Sequence, residues 1–141
     1  MKRNLLIRRL ATLGCTAIVS GLVLAAVPST SAQAIDSRCT VDGYTPWTDG
    51  VYVKSQSTLT CTAAVGEKTG VLLEYQDLLS WPDLGGWTYS AASAGSKYLT
   101  SPVKSANCNG TGTRTYRAQF MGRSTDDTTR TVVSASKKLT C

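Results

Sequence analysis

The spacing of its cysteines constrains this chain more than any other feature of the sequence. One cysteine, Cys15, lies in an apolar N-terminal stretch, and four more follow far apart along the chain. The four later cysteines are Cys39, Cys61, Cys108 and Cys141. None belongs to a Cys-x-x-Cys pair of the kind that binds zinc. An even number of distant cysteines in a small exported domain is typical of disulfides. The sequence therefore predicts two disulfide bonds, with three possible pairings.

Residues 1–34 predict a cleaved secretory signal peptide. Residues 1–9 are rich in Lys and Arg, residues 10–27 are apolar, and the segment ends in Ala32-Gln33-Ala34. This order of charged, apolar and small-residue zones predicts cleavage after Ala34 and an extracellular protein with no remaining membrane span. An uncleaved membrane anchor is the alternative, because the apolar run is nearly long enough to cross a bilayer.

The sequence beyond residue 34 has a hydrophobic period of two. Within residues 51–65, the odd positions are mostly apolar or small, and the even positions carry mainly polar side chains. This pattern predicts a strand, straight or bent, with one buried face that includes Cys61. Residues 113–121 and 131–141 alternate in a similar way, and residues 122–127 predict a hairpin connection between them. Residues 98–103 predict a short edge strand.

Residues 71–79 fit two structures. A helix would place Leu72, Tyr75 and Leu79 on one face, whereas a strand would alternate apolar with polar residues as far as Gln76. The strand-rich surroundings favour a strand. Six or seven strands within a length of about 105 residues predict an all-β fold: a single antiparallel β-sandwich of immunoglobulin-like size over residues 35–141.

Two of the disulfide pairings deserve comparison. An immunoglobulin-type bridge would join Cys61 to Cys108, with tryptophans between them. Cys108 lies in Asn-Cys-Asn-Gly, however, which is a turn sequence rather than a strand centre. We therefore prefer sequential pairing, Cys39 with Cys61 and Cys108 with Cys141. Each bond would close a moderate loop and contribute about 3 kcal/mol to stability.

Four local sequence features occur together in this chain. They are a cysteine-bearing first strand, a Tyr-Gln strand that leads to Trp, the turn Asn107-Cys108-Asn109-Gly110 before Thr115-Tyr116-Arg117, and a final cysteine. In this combination the chain resembles small secreted actinobacterial β-sandwich proteins. The resemblance implies an extracellular location and a β-sandwich fold, and it implies no active site.

The composition argues against most catalytic chemistry. The chain contains no histidine, which excludes Ser-His-Asp and Cys-His machinery and imidazole metal ligands. Neither a metal-ligand spacing nor a cofactor-binding loop is present, so we expect no metal, no cofactor and no enzymatic activity. The formal charge of +6 arises largely from the leader, because residues 35–141 carry 11 basic against 9 acidic side chains. A nucleic-acid partner is therefore not expected.

Aromatic residues provide the best candidate for a binding site. Trp81, Trp87 and Tyr89 surround a Pro-containing, Gly-rich segment, and Trp47 lies in an earlier loop between two Asp-Gly turns. Exposed rings on a rigid loop would stack on sugars or anchor a partner protein. The alternative is that these rings close one end of the sandwich, since the chain has a single Phe.

Charge is distributed unevenly along the sequence. Residues 35–96 carry a net charge of −4 and residues 97–141 a net charge of +6. The two halves either neutralise each other in the folded protein or leave a basic face for anionic cell-wall polymers or membranes. The residues of that face would be Arg114, Arg117, Arg123, Arg130, Lys137 and Lys138.

These observations favour a secreted, monomeric binding or interaction module. The expected partner is a cell-surface polysaccharide or an extracellular protein. A secreted effector, either a protease inhibitor or an antibacterial protein, is the alternative, because a rigid disulfide-braced loop loses little entropy on docking.

Overall fold

The computed structural model describes residues 32–36 and 38–141, which form twelve β-strands and no helix. The strands are β1 (Gln33–Asp36), β2 (Cys39–Gly43), β3 (Trp47–Asp49), β4 (Tyr52–Ser55), β5 (Ser57–Cys61), β6 (Gly66–Tyr75), β7 (Thr88–Ser96), β8 (Tyr98–Thr100), β9 (Lys104–Asn107), β10 (Thr113–Ser124), β11 (Thr129–Val133) and β12 (Lys137–Thr140). Nearly all of the predicted signal peptide lies outside the described residues. Within the part of the chain that is described, no helix has the length and apolar character needed to cross a membrane.

Strand β10 organises a five-stranded antiparallel sheet. One of its edges pairs with β6, and β7 follows β6 at the rim of the sheet. Along its other edge, β12 pairs with the first part of β10 and β11 with the second part. Alternate residues from Tyr116 to Ser124 are buried, and the residues between them lie half-buried on the opposite, outer face.

The second layer of the sandwich consists of two smaller antiparallel sheets. Their strand orders are β1-β2-β5-β8 and β3-β4-β9. The chain first passes from one sheet to the other at residues 44–46, between β2 and β3. It passes between them again at two corners, at Gln56 between β4 and β5 and at residues 101–103 between β8 and β9. The side-chain amide of Gln56 donates a 2.8 Å hydrogen bond to the carbonyl of Ser101, so the two corners are tied together.

The core lies between these two layers. The five-stranded sheet contributes buried side chains from β6 and β10, and the smaller sheets contribute others from β1, β2, β4 and β5. The largest of these side chains are Tyr116, Phe120, Leu59, Leu73, Val41, Val53 and Val71. The predicted buried parity is confirmed at positions 53, 55, 57, 59 and 61. Val51, at the start of the predicted strand, is exposed in the turn before β4.

Both predicted disulfides form with the sequential pairing. Cys39 and Cys61 are directly opposite in the β2–β5 register, with Cα atoms 4.1 Å apart. Cys108 follows β9 and Cys141 follows β12, and their Cα atoms are 5.7 Å apart. The first bond therefore joins neighbouring strands of one sheet, whereas the second joins the two layers. The alternative bridge between Cys61 and Cys108 is not formed.

The predicted all-β antiparallel sandwich with two disulfides is confirmed, but its strands are more numerous than the sequence indicated and several have different bounds. The predicted strand over residues 51–65 is divided at the Gln56 corner, and that over 98–103 ends at Thr100. Residues 71–75 are strand, as preferred, but β6 ends at Tyr75 and residues 77–80 form a turn. The hairpin after β10 begins later than predicted, because β10 continues to Ser124.

Candidate functional site

The outer face of the five-stranded sheet carries three of the four predicted aromatic residues. The strand residues that lie beneath these rings, which we call the floor of the face, are determined by the strand register. It places Arg117 opposite Glu74, Gln119 opposite Leu72 and Arg123 opposite Lys68. Tyr89 of β7 is opposite Gly70 of β6 in the same register. Because side chains alternate along a strand, all of these residues share one side of the sheet.

The position of Tyr89 depends on a glycine in the neighbouring strand. A Cβ atom added to Gly70 would lie 2.3 Å from Cδ1 of the Tyr89 ring. The ring therefore lies directly across the Gly70 backbone, which no residue with a side chain would permit without displacement of the ring. Even so, Tyr89 keeps 40% of its surface exposed.

Tyr89 also has two partners on the outer face. The Trp87 ring is stacked with it at 10° between planes and 5.8 Å between centroids. The Nζ atom of Lys68 lies 3.9 Å from the centroid of the Tyr89 ring, a cation–π distance. A Lys ammonium at that distance both orients the ring and adds positive charge to the surface beside it.

Two glycines bring Trp87 to the start of β7. Gly85 and Gly86 have φ values of 85° and 70°, which favour glycine, and they form a bend before the strand begins. The Nζ atom of Lys104 donates a 2.7 Å hydrogen bond to the carbonyl of Gly85. The bend is thus linked to strand β9 in the opposite layer, and the adjacent Trp87 is half-buried.

Trp81 is held through a buried carboxylate. Glu74 has 7% of its side chain exposed and accepts hydrogen bonds from Arg117 Nε at 2.7 Å and from Gln119 Nε2 at 2.9 Å. The fixed guanidinium of Arg117 then lies 4.2 Å from the centroid of the Trp81 ring. We call Trp81, Trp87 and Tyr89, together with Lys68 and Arg117, the aromatic face.

Trp47 does not belong to the aromatic face. It lies in β3, within the three-stranded sheet, and is half-buried. Its ring makes an edge contact with Tyr44, with the centroids 6.2 Å apart. The structure therefore brings together Trp87 and Tyr89, places Trp81 on the same sheet face, and leaves Trp47 in the other layer.

Sequence reasoning missed the residues that form the floor of the aromatic face. Lys68 and Gly70 lie about twenty residues before Tyr89 in the sequence, and Glu74 lies 43 residues before Arg117, so only the strand register joins them. The period-two pattern of β10 does place Arg117 and Gln119 on one side. This pattern therefore indicates the outward-facing residues of β10, but it gives no signal for Lys68, Gly70 or Glu74.

Several opposite charges pair between the two halves of the sequence. Glu74 pairs with Arg117, Glu67 with Arg123 at 3.0 Å, and Asp126 with Arg38 at 2.8 Å. Each pair joins the acidic half of the sequence to the basic half. Both glutamates are thus engaged by arginines, and no cluster of three or more metal-ligating side chains occurs among the described residues.

The arrangement is suited to contact with a flat or extended ligand. The Tyr89 ring lies across Gly70 of β6, whereas the Trp81 ring lies on Arg117 of β10, which is opposite Glu74 in the strand register. Comparison with models of known protein families gives no match, and a search of curated proteins finds no similar sequence.

Proposed function

We propose that this protein is a secreted, non-enzymatic binding module that uses the aromatic face to contact a cell-surface polysaccharide. The observation that carries the proposal is the stacked pair Trp87 and Tyr89, which is held in place yet partly exposed on a sheet surface. Aromatic rings combine a large apolar area with few rotatable bonds, so little entropy is lost when they are buried against a ligand.

The shape and charge of the face favour a polymer over a small molecule. Tyr89 and Trp81 contact different points of the sheet, Gly70 and Arg117, so the aromatic face extends beyond the area of a single ring. Lys68 and Arg117 lie beside these rings as hydrogen-bond donors. They would bind hydroxyl or carboxylate groups of the chain while the rings contact the apolar faces of its sugars.

Secretion is part of the same proposal. The first 34 residues have the layout of a signal peptide, and the two disulfides are typical of proteins in oxidising compartments. The resemblance to small secreted actinobacterial β-sandwich proteins supports the same location. In that setting, cell-wall polysaccharide is abundant at the surface where the protein is released.

Affinity electrophoresis through gels that contain cell-wall polysaccharide tests the proposal. We expect the wild-type protein to be retarded and Trp87→Ala to migrate freely with its circular dichroism unchanged. Tyr98→Ala is the matched control, because Tyr98 is 59% exposed on β8 in the other layer. Equal retardation of all three proteins, or retardation of none, would contradict the proposed contact.

A further inference from the structure

Two adjacent leucines are exposed to solvent near the start of the β6–β7 connection. The side chains of Leu78 and Leu79 are 91% and 102% exposed. Asp77 and Ser80 close the turn around them with backbone hydrogen bonds of 3.0 and 2.7 Å. We call residues 77–80 the leucine turn. Single exposed apolar residues are common, but a neighbouring pair at a rigid tip is the kind of surface that marks an interaction site.

The backbone of the leucine turn is itself unfavourable for its sequence. Leu78 has φ 45°, in the left-handed region that Gly or Asn adopt with less strain. Its side chain makes no compensating contribution to the core, because almost all of it is exposed. Strain combined with exposure points to a contact outside the chain rather than to stability.

The turn is supported on the side that faces away from the tip. The backbone amide of Leu84 donates to the carbonyl of Leu73 at 2.8 Å, and that of Tyr75 donates to Pro82 at 3.2 Å. The chain on both sides of the turn therefore lies along β6 as a hairpin. The two leucines lie three and four residues after Tyr75, the last residue of β6, and their exposure shows that they contact almost nothing in the protein.

Basic side chains lie at the same end of the sheet. The amide of Gln76 donates to the carbonyl of Thr115, and Thr115 pairs with Lys138 in the β10–β12 register. Two strand spacings separate the backbones of Gln76 and Lys138, a distance of about 10 Å. One residue further from the leucine turn, Tyr116 of β10 pairs with Tyr75 of β6 on one side and with Lys137 of β12 on the other.

A third basic residue, Arg114, completes this group. Its guanidinium lies 5.0 Å from the centroid of the Tyr75 ring, just before the leucine turn. Arg114, Lys137 and Lys138 are all exposed, and the ion pairs between described residues involve none of them. Asp77 and Asp83 are the exposed acidic neighbours, so the balance at this end is positive.

We propose that the protein docks on an anionic lipid bilayer through the leucine turn. Leu78 and Leu79 would enter the headgroup region while Arg114, Lys137 and Lys138 contact lipid phosphates. A bilayer accepts a convex apolar tip without a preformed pocket, whereas a protein would need a cavity shaped for two leucines. A protease cleft fits less well, because it binds an extended segment and residues 77–80 reverse direction.

This inference is independent of the polysaccharide contact, since it uses neither Trp87 nor Tyr89. The test is co-sedimentation of protein purified from culture medium with vesicles of phosphatidylcholine, alone or mixed with phosphatidylglycerol. All variants share one N-terminus, so that segment contributes equally to each measurement. We expect binding to the anionic vesicles that weakens as salt is raised.

Four variants make the test specific. Leu79→Ser should lower the partition coefficient about tenfold, and Lys138→Gln should lower it about fivefold on anionic vesicles. Leu78→Asn should weaken binding while raising the thermal midpoint, because Asn suits the turn better than Leu. Val103→Ser, which changes an apolar residue that is 44% exposed outside the turn, is the control and should bind as wild type does.

Three results would overturn the proposal. They are absence of binding to either vesicle, equal binding to neutral and anionic vesicles, and binding that Leu78→Asn and Leu79→Ser leave unchanged. A protein from the extracellular medium that is captured by wild type but not by Leu79→Ser, without any vesicle binding, would replace the bilayer by a protein partner.

Discussion

Gly70 and Tyr89 face each other across β6 and β7 so closely that a Cβ atom at position 70 would lie 2.3 Å from the tyrosine ring. The ring of Tyr89 in turn stacks with Trp87. Gly70 has no side chain that could contact a ligand, yet it determines where the rings of Tyr89 and Trp87 lie.

Gly70→Ala should disturb the aromatic face without removing any of its aromatic side chains. The added methyl group must push the Tyr89 ring aside, at a cost of about 1–3 kcal/mol in the free energy of unfolding. We expect weaker retardation in polysaccharide gels and a changed near-ultraviolet circular dichroism spectrum.

Gly110→Ala provides the matched control for that variant. Gly110 has φ 76° and open space around the added Cβ, so its replacement costs stability through backbone strain at a position outside the face. If Gly110→Ala lost polysaccharide retention as Gly70→Ala does, reduced stability rather than ring position would explain the effect.

Breaking the Glu74–Arg117 pair should be more harmful than removing both charges. Glu74→Ala leaves the guanidinium of Arg117 and the amide of Gln119 without their acceptor, at a cost of about 2–3 kcal/mol because Arg117 remains partly hydrated. The double variant Glu74→Leu/Arg117→Leu should lose less than the sum of the losses of Glu74→Leu and Arg117→Leu. Urea unfolding of wild type, these two single variants and the double variant measures this, and additive losses would show that the pair is not coupled.

Acid should remove a contribution from the hairpin after β10. The Ser124 hydroxyl, which donates to the Asp126 carboxylate, is the main cause that lowers the pKa of Asp126 below its usual 3.8, with smaller contributions from backbone amides and Arg38. A lowered folded-state pKa means that this stabilisation is complete above pH 3.8 and is lost as the pH falls below that value.

Thermal unfolding between neutral and acid pH gives the measurement for Asp126. Asp126→Asn should be less stable than wild type at neutral pH and should lose less stability on acidification. Because Asp126 and Arg38 are both nearly half exposed, salt should weaken the difference. Parallel pH profiles for the two proteins would rule out a role for this carboxylate in acid sensitivity.

The mature N-terminus can be located by sequencing the secreted protein. Cleavage after Ala34 should give a chain that begins Ile-Asp-Ser, with the Ile35 side chain buried against Gly122. That cleavage would shorten β1, because Gln33 and Ala34 pair with Val41 and Thr40. A chain that begins upstream of Gln33 would keep β1 whole and would refute the predicted site.

The sequence predicted those parts of the fold that depend on neighbouring residues. Period-two alternation identified the buried face of residues 53–61, and the turn character of Asn107–Gly110 distinguished the two disulfide pairings. By contrast, no local sequence feature indicates the corner at Gln56, because the alternation of inward-facing and outward-facing residues continues through it.

The sequence predicted most of the aromatic residues of the candidate site, but it did not predict the contacts that hold them in place. Three of the four aromatic residues share a sheet face, whereas Trp47 occupies the other layer, since its position depends on which sheet β3 joins. The leucine turn was also hidden. The helical pattern places Leu79 on a buried face with Leu72 and Tyr75, and only the end of β6 at Tyr75 shows that Leu79 lies in a turn.

The tied corners at Gln56 and Ser101 limit how the chain tolerates insertions and deletions. Positions 53, 55, 57, 59 and 61 all point into the core on both sides of the Gln56 corner. Loss or gain of a single residue there would turn every side chain on one side of the corner from the interior to solvent. Length variants should therefore be accommodated at hairpin tips such as the one around Asp127, whereas the path from β4 to β5 must keep its residue count.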